Sequence, residues 1–446
     1  MNTFPDNAPG AVIVGLGRTG ISCARYLHAR GWRLAVTDTR AAPPQLAALR
    51  ALDAAIPVSL GALDTRLLAG AVCVVASPGV SLAEPFFTEA RRLGLEIVGD
   101  VELFARAAHA PVVGITGTNG KSTVTTLLGR MAGRAGLKVQ VGGNLGAPAL
   151  ELLDAATELY VLELSSYQLE TTESLHCRAA AVLNVSPDHL DRYADVAAYA
   201  AAKARLLARC DIAVINLDDP LVVAMPHAAA RTLSFSLRAA IGADYAIARS
   251  EGAWWLTRRD EPLLPLAAMK IKGLHNAANA LAALALGEAL GLPQAAMLEE
   301  LRSFAGLAHR SQWVADLEGV TYVDDSKGTN VGATLAAVAG MEGPLVMILG
   351  GEGKNQDFTP LAAAFRGKVR CAVLIGRDAA ALEQVLGGVC PIARATTLPA
   401  AVAAAAAAAQ PGDTVLLSPA CASFDMFRDY AHRGAVFAQA VRELAA

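Results

Sequence analysis

The stretch GTNGKST, Gly117 to Thr123, follows an apolar strand-like run and precedes a helical one. A glycine-rich turn in that setting offers backbone N–H groups and a helix N-terminus to a phosphate. Lys121 adds a point charge, and the Ser122 hydroxyl suits a phosphate-bound Mg²⁺. The common phosphate loop has glycine five positions before Gly120, where this chain has Ile115. The loop is therefore a tighter variant, and the ligand it predicts is a nucleoside triphosphate. A second glycine turn lies in AVIVGLGRTG, with Gly15, Gly17 and Gly20. That spacing lets a backbone approach a pyrophosphate, but it does not say whether NAD(P) or another nucleotide carries it. Asp38 ends the next strand, 18 residues after Gly20, where an acid can meet a ribose hydroxyl.

Other residues have weaker claims when taken singly. Glu163, in VLELSS, ends an apolar strand, and a carboxylate there is costly unless paired or metal-bound. His189 is a lone histidine in a polar turn. Lys203, among the alanines of YAAAKARLL, has the pattern of a surface lysine snorkelling past them. Asn276 and Asn279 share a helix face and suit N-terminal capping. Arg40 reads equally well as a solvated loop arginine.

The elements that must position these groups alternate strand and helix. Strand-like runs AVIVGLG, RLAVTD, AVCVVASPG and EIVGD fall in the first hundred residues, with a helix expected from about Thr19 to Arg30. A second series begins with PVVGITG and continues through ELYVLELSS, AAAVLNVS and IAVINLDD. A hairpin centred on Glu251-Gly252 and a helix from about His275 to Leu290 follow. A third series holds GVTYVDDS, PLVMILGG, RCAVLIG and DTVLLSPA. Such alternation implies parallel sheets covered on both faces. The expected fold is α/β, with three consecutive domains at 1–99, 100–304 and 305–446: Rossmann-like, P-loop-type ATPase, and Rossmann-like again.

The bulk properties narrow the class. At 446 residues the chain is too long for one core. Much of its 54% hydrophobic content is alanine, as in PAAVAAAAAAAQPG, which reads as a helix closed by prolines. No run is long enough to span a bilayer, and the N-terminus lacks the pattern of a secretory signal. A net charge of −3 without a basic cluster argues against nucleic acid. The seven cysteines form no CxxC pair and read as buried thiols in a reducing, cytoplasmic compartment.

The chain resembles the Mur ligase family, most of all its glutamate-adding members, through motifs in order from end to end: GLGRTG, DTR, SPG, GITGTNGKSTVTTL, GGNLG, ELSSYQLE, NVSPDHLDRY, AAKARL, GLHNAANALAA, HR, DDSKGTN, GGEGKNQDF and SPACASFDMF. The resemblance implies an ATP- and Mg²⁺-dependent ligase, expected as a monomer, joining D-glutamate to UDP-N-acetylmuramoyl-L-alanine through an acyl phosphate. It assigns the first glycine turn to a uridine diphosphate rather than NAD(P), with Gly17, Arg18, Thr19, Asp38, Thr39, Arg40, Ser77, Pro78, Gly79, Asn144 and His189 on that substrate. It assigns the nucleotide to Gly117, Thr118, Asn119, Gly120, Lys121, Ser122, Thr123, Asn276 and Asp325. Metal would fall to Ser122, Glu163, His189 and a CO₂-carbamylated Lys203. Arg310 would reach the γ-phosphate on closure of the third domain. Thr329, Lys354, Ser423 and the N–H of Phe424 would hold the amino acid.

Two departures from the family pattern are visible: Gln312 and Glu352 replace the Glu and Asp of many relatives. A sister ligase taking a diamino acid would be expected to carry a DNPR-type signature, which is missing. A folate ligase would lack the first domain. A dehydrogenase would need a catalytic set beside the first turn, and a non-catalytic sensor would have lost Lys121, Glu163 or His189.

Overall fold

The computed structural model describes residues 9–238, 242–250, 252–271, 273–341 and 343–444. The first sheet is parallel throughout, with strands β1 (Gly10–Val14), β2 (Arg33–Asp38), β3 (Val58–Leu60), β4 (Cys73–Ala76) and β5 (Glu96–Val98) in the order β3-β2-β1-β4-β5. The chain order reverses beside β1, which opens a crevice at the carboxyl ends of β1 and β4. The helix after the glycine turn runs Arg18–His28, close to the expected span. The short β3 was not anticipated, because three half-buried residues carry no readable period.

The second sheet holds β6 (Val112–Thr116), β7 (Val139–Gly143), β8 (Leu159–Glu163), β9 (Cys177–Val182), β10 (Cys210–Asn216), β11 (Arg231–Ser236), β12 (Tyr245–Ser250), β13 (Ala253–Arg258) and β14 (Glu261–Pro265). Their order is β14-β13-β12-β11-β10-β9-β6-β8-β7. The phosphate loop leaves β6 between β8 and β9, again at a reversal of chain order. The expected hairpin is β12 against β13, with Ser250 opposite Ala253 and Gly252 at φ 80°; Glu251 lies outside the described residues. It proves to be two-thirds of a meander. Arg259 and Asp260, both left-handed at φ 45° and 70°, turn the chain tightly into β14. The helix Leu274–Ala289 then runs beneath the sheet, buried along most of its length.

The third sheet, β15 (Gln312–Leu317), β16 (Val320–Asp324), β17 (Leu345–Gly350), β18 (Val369–Ile375), β19 (Ile392–Arg394) and β20 (Thr414–Leu417), has the order β15-β16-β20-β17-β18-β19. Only β15 is antiparallel. The alanine-rich run forms the helix Leu398–Ala408. Among the described residues no helix is long and apolar enough to cross a membrane.

The three units are joined unequally. One apolar cluster runs from Ile13 and Cys23 through Phe104 to Tyr160 and Leu169, so the first two sheets share a core. The Phe104 and Tyr160 rings meet edge to face at 5.0 Å. The third sheet has its own cores. It meets the second through the helix Val331–Gly340 packed on the helix Leu274–Ala289 and through polar contacts: Arg310 to Ser122 at 2.6 Å, and Asn330 to Asn119 at 3.3 Å and to Asp188 at 3.2 Å. Such a joint is expected to open more readily than a continuous core.

Asp100 begins the helix that links the first two sheets and is buried there. Its carboxylate accepts from Gln168 Nε2 at 3.2 Å. Burial pushes its pKa up to about 6, against the hydrogen bonds that oppose the shift. An acid raised on folding contributes stability that is full at low pH and lost as pH rises through that value. Asp100→Asn is therefore expected to raise the melting temperature at about pH 7.5 and to raise it much less at about pH 4.5. Equal effects at both pH values, read by calorimetry, would contradict this.

Candidate functional site

Each glycine of the first turn serves a separate need. Gly15 is left-handed at φ 91°, and a Cβ on Gly20 would lie 2.0 Å from the Gly15 carbonyl oxygen. Gly17 has open space where its side chain would stand, which leaves the turn bare for a ligand. The turn is braced by Ser77 Oγ donating to the Gly15 carbonyl at 2.8 Å and by the Leu16 N–H donating to Asp38 at 2.7 Å. The remaining Asp38 contacts are the Arg40 N–H at 2.8 Å and the Arg40 guanidinium, whose Nε lies at 2.9 Å. Burial would raise the Asp38 pKa, but the guanidinium and the two N–H groups hold it down to about 2. The expected ribose acid is thus already occupied in bracing two loops. Arg40, half exposed, is fixed on Asp38 rather than free in solvent.

Gly17, Arg18, Thr19, Asp38, Thr39, Arg40, Ser77, Pro78 and Gly79 all line one crevice. Arg18 closes one end by donating to the Gly146 carbonyl at 2.9 Å. Asn144 lines this crevice and the next. His189, grouped with these residues by sequence, lies instead in the adjoining cleft with the phosphate loop. Gln168 lines the crevice and was missed. It stands in the ELSSYQLE motif, and its capping box with Ser165, the sequence signal that could have found it, fixes the start of a short helix.

The phosphate loop departs from β6 with Gly117 at φ 145° and Gly120 at φ 85°. A Cβ on Gly120 would sit 2.3 Å from Asn279 Oδ1, so the buried asparagine helix presses against the loop. Asn279 donates to Asn276 at 3.2 Å, which places both inside the protein rather than at a solvated cap. Lys121 Nζ folds back onto the carbonyls of Gly117 at 2.9 Å and Thr118 at 2.8 Å. Ser122 Oγ donates to Glu163 at 2.5 Å, and Asn144 Nδ2 donates to the other Glu163 oxygen at 2.6 Å. Burial alone would raise the Glu163 pKa; Lys121, these donors and Arg310 hold it below the ordinary value.

Lys203 is not the surface lysine its alanine neighbours suggested. It is 1% exposed, donates to the Gly117 carbonyl at 2.9 Å and lies over the Tyr199 ring at 4.4 Å. Burial, reinforced by Lys121, drives its pKa well down, towards a neutral and nucleophilic amine. Burial likewise lowers the pKa of His189 and favours the neutral imidazole that a metal requires. Among the described residues no three His, Cys, Asp or Glu side chains gather as a complete metal cage. Glu163 with the Ser122 hydroxyl does fit Mg²⁺, which takes one or two carboxylates and completes its shell with water and phosphate.

The third unit brings Arg310, Lys327, Thr329, Lys354, Ser423 and Phe424 to the same cleft. Lys354 stands on a left-handed residue at φ 51°, and Phe424 is 67% exposed at the rim. Lys327 stands in the DDSKGTN motif, on the same loop as Thr329. It lies 4.0 Å from the centroid of Tyr430, and burial together with Arg310 and Lys121 depresses its pKa to about 8. A neighbouring cavity of about 340 Å³ is lined by Asn119, Gly120, Thr123, Asn276, Asn279 and Asp325 among others, within the roughly 300–1,000 Å³ typical of small-molecule sites. Asp325 is held by the Ser311 N–H at 3.0 Å and Ser418 Oγ at 2.8 Å, and burial raises its pKa to about 7. Gln312 accepts from the His309 N–H at 3.0 Å, which braces the turn carrying Arg310. Glu352 pairs with Arg377 at 2.8 Å.

A model of the Mur ligase MurD-like N-terminal domain matches residues 10–99. Models of the Mur ligase middle domain and the glutamate ligase domain match residues 115–287 and 309–421. The UDP-N-acetylmuramoylalanine–D-glutamate ligase of Methylococcus capsulatus is 52% identical, with 97% of this chain and 95% of the relative covered. The enzyme of that name from Nitrosococcus oceani is 51% identical, with 99% and 98% covered. Among solved structures, a pseudomurein peptide ligase type C from Methanothermus fervidus aligns with a TM-score of 0.63 at 16% identity, covering 98% of this chain and all of that one. The UDP-N-acetylmuramate–alanine ligase MurC from Thermotoga maritima aligns with a TM-score of 0.61 at 19% identity, covering 98% and 99%. At such identities these two carry the fold alone.

The depressed Lys327 predicts a pH-dependent anion site. Binding of inorganic tripolyphosphate, followed by calorimetry, is expected to weaken as pH rises from about 7 to about 9, and to weaken less in Lys327→Arg, whose charge persists. Identical pH profiles in the two proteins would remove Lys327 from the anion site.

Proposed function

The chain belongs to the Mur ligase family, and from this we propose that it is an ATP-dependent ligase joining D-glutamate to UDP-N-acetylmuramoyl-L-alanine in peptidoglycan precursor synthesis. The observation that carries the reading is one cleft lined from two sheets and continuous, through Asn144, with the crevice of the first. A UDP-sugar in the crevice would direct its alanyl carboxylate past Asn144 towards the phosphate loop. The domain division at 1–99, 100–304 and 305–446 is part of this reading. So is a single chain acting alone, since one chain contributes all three walls. Its ATP and UDP-sugar substrates argue for a cytoplasmic setting.

The chemistry must bring a carboxylate and a triphosphate within bonding distance. Lys121, Arg310, Lys327 and Lys354 supply the positive charge that this requires. ATP transfers its γ-phosphoryl group to the alanyl carboxylate and leaves as ADP. The amine of D-glutamate attacks the acyl phosphate, and the tetrahedral adduct collapses to amide and phosphate. Ser122 and Glu163 would hold Mg²⁺, with His189 and a carbamylated Lys203 towards a second ion. Bound there, Mg²⁺ would offset charge on the transferring phosphoryl group. Arg310 donates to Ser122, and in this reading it would turn onto the γ-phosphate. Carbamylation would form a bond from Lys203 Nζ to the carbon of CO₂ with loss of one proton, turning a buried amine into a carboxylate. Thr329, Lys354, Ser423 and the Phe424 N–H offer the cation and donors that a dicarboxylic amino acid needs.

The direct test is phosphate release from ATP with UDP-N-acetylmuramoyl-L-alanine and, in parallel, D-glutamate, L-glutamate or L-alanine. Release with D-glutamate alone is expected; release with L-alanine alone would overturn the reading. Lys354→Met is expected to raise KM for D-glutamate about 10- to 100-fold while KM for ATP changes little. An unchanged glutamate KM would clear Lys354 of that role. Labelling with ¹³C-bicarbonate is expected to give a carbamate signal in the wild type that disappears in Lys203→Arg. A signal persisting in the variant would exclude Lys203 as its source.

A further inference from the structure

Arg192 stands three residues beyond His189 in NVSPDHLDRY, and nothing above gives it a task. Its side chain is 15% exposed and reaches out of the central unit. Nη1 donates to the Pro78 carbonyl and Nη2 to the Val80 carbonyl, both at 3.3 Å. Pro78 and Val80 line the nucleotide crevice, in the turn whose Ser77 braces Gly15. Nη2 also donates to Glu170 at 3.1 Å, and the guanidinium lies 4.5 Å from the centroid of Tyr167. At the other end, the Arg192 backbone N–H donates to the His189 carbonyl at 2.9 Å. The Tyr167 ring meets the His189 imidazole edge-on at 5.0 Å.

One side chain therefore touches the wall of the crevice and the residues that set the imidazole in the cleft. His189 is left-handed at φ 56°, a conformation that a histidine keeps only when its surroundings favour it. A guanidinium is a rigid fork, so its bonds to Pro78, Val80 and Glu170 cannot shift one at a time. A shift of the 77–80 turn would be passed through that fork to Tyr167 and to the backbone of His189.

We infer that Arg192 is a positioning residue coupling occupancy of the crevice by a nucleoside diphosphate to the setting of His189 in the reaction cleft. The inference rests on the ligase reading above. Its consequence is that the uridine end of the substrate, remote from the reacting carboxylate, contributes to turnover and not only to binding.

The test compares kcat for UDP-N-acetylmuramoyl-L-alanine with kcat for N-acetylmuramoyl-L-alanine 1-phosphate, the same substrate without uridine monophosphate. ATP, D-glutamate and each sugar substrate are kept saturating. In the wild type, truncation is expected to lower kcat about tenfold or more, and in Arg192→Gln the gap should narrow to about twofold, through loss on the full substrate alone. Arg192→Lys keeps the charge but cannot span all three partners, so its gap should fall between; it carries the test if the glutamine variant does not fold. An undiminished gap in the variants, with kcat lowered equally on both substrates, would mean that Arg192 only braces the fold and would overturn the inference. Equal kcat on both substrates in the wild type would also overturn it, since there would be no coupling to transmit. A wild type that ligates D-glutamate to neither substrate would sink the ligase reading itself and this inference with it.

Discussion

The cleft is organised around one buried carboxylate. Glu163, 3% exposed at the end of β8, accepts from Ser122 at the head of the phosphate-loop helix and from Asn144, which also lines the crevice of the first unit. Arg310 arrives from the third unit onto the same Ser122. A carboxylate so placed is tolerable only with compensating charge and donors. Lys121 and Arg310 supply the charge, and the two side chains supply the bonds. The requirement that keeps Glu163 ionised also gathers residues from three stretches of chain at one point.

That arrangement explains why the joints differ. The first two sheets share a continuous apolar core, which fixes the crevice relative to the phosphate loop. The third unit has its own cores and meets the second through one helix–helix contact and through polar groups such as Asn330 and Arg310. A ligase that must admit two anions and an amine and then exclude water is served by one fixed joint and one separable one.

Burial sets the character of the basic groups. Lys203 and Lys327 are both depressed by burial and by neighbouring cations, but to different ends. Lys203 is sealed under the loop and driven towards a neutral amine. Lys327, half-buried on its loop, retains charge near neutrality and joins Lys121, Arg310 and Lys354 in an anion-seeking wall. Asp38 is the converse case, an acid so strongly held by Arg40 and two N–H groups that its oxygens brace the crevice.

The sequence by itself determined the two glycine turns and the alternation that makes parallel sheets. Those features depend on short-range spacing: strand, turn and helix follow one another within a few residues, so their chemistry is legible along the chain. What only the tertiary structure decided was which groups meet and what state they take. Gln168 faces Asp100 across 68 residues, and Arg192 reaches Pro78 across 114. Lys203 is buried, and Gly117, 86 residues earlier, accepts its hydrogen bond. His189 lies in the cleft with the phosphate loop rather than in the crevice, its ring against that of Tyr167. Burial and partnership are properties of packed neighbours, and no local pattern of residue types encodes how far a side chain will be from water.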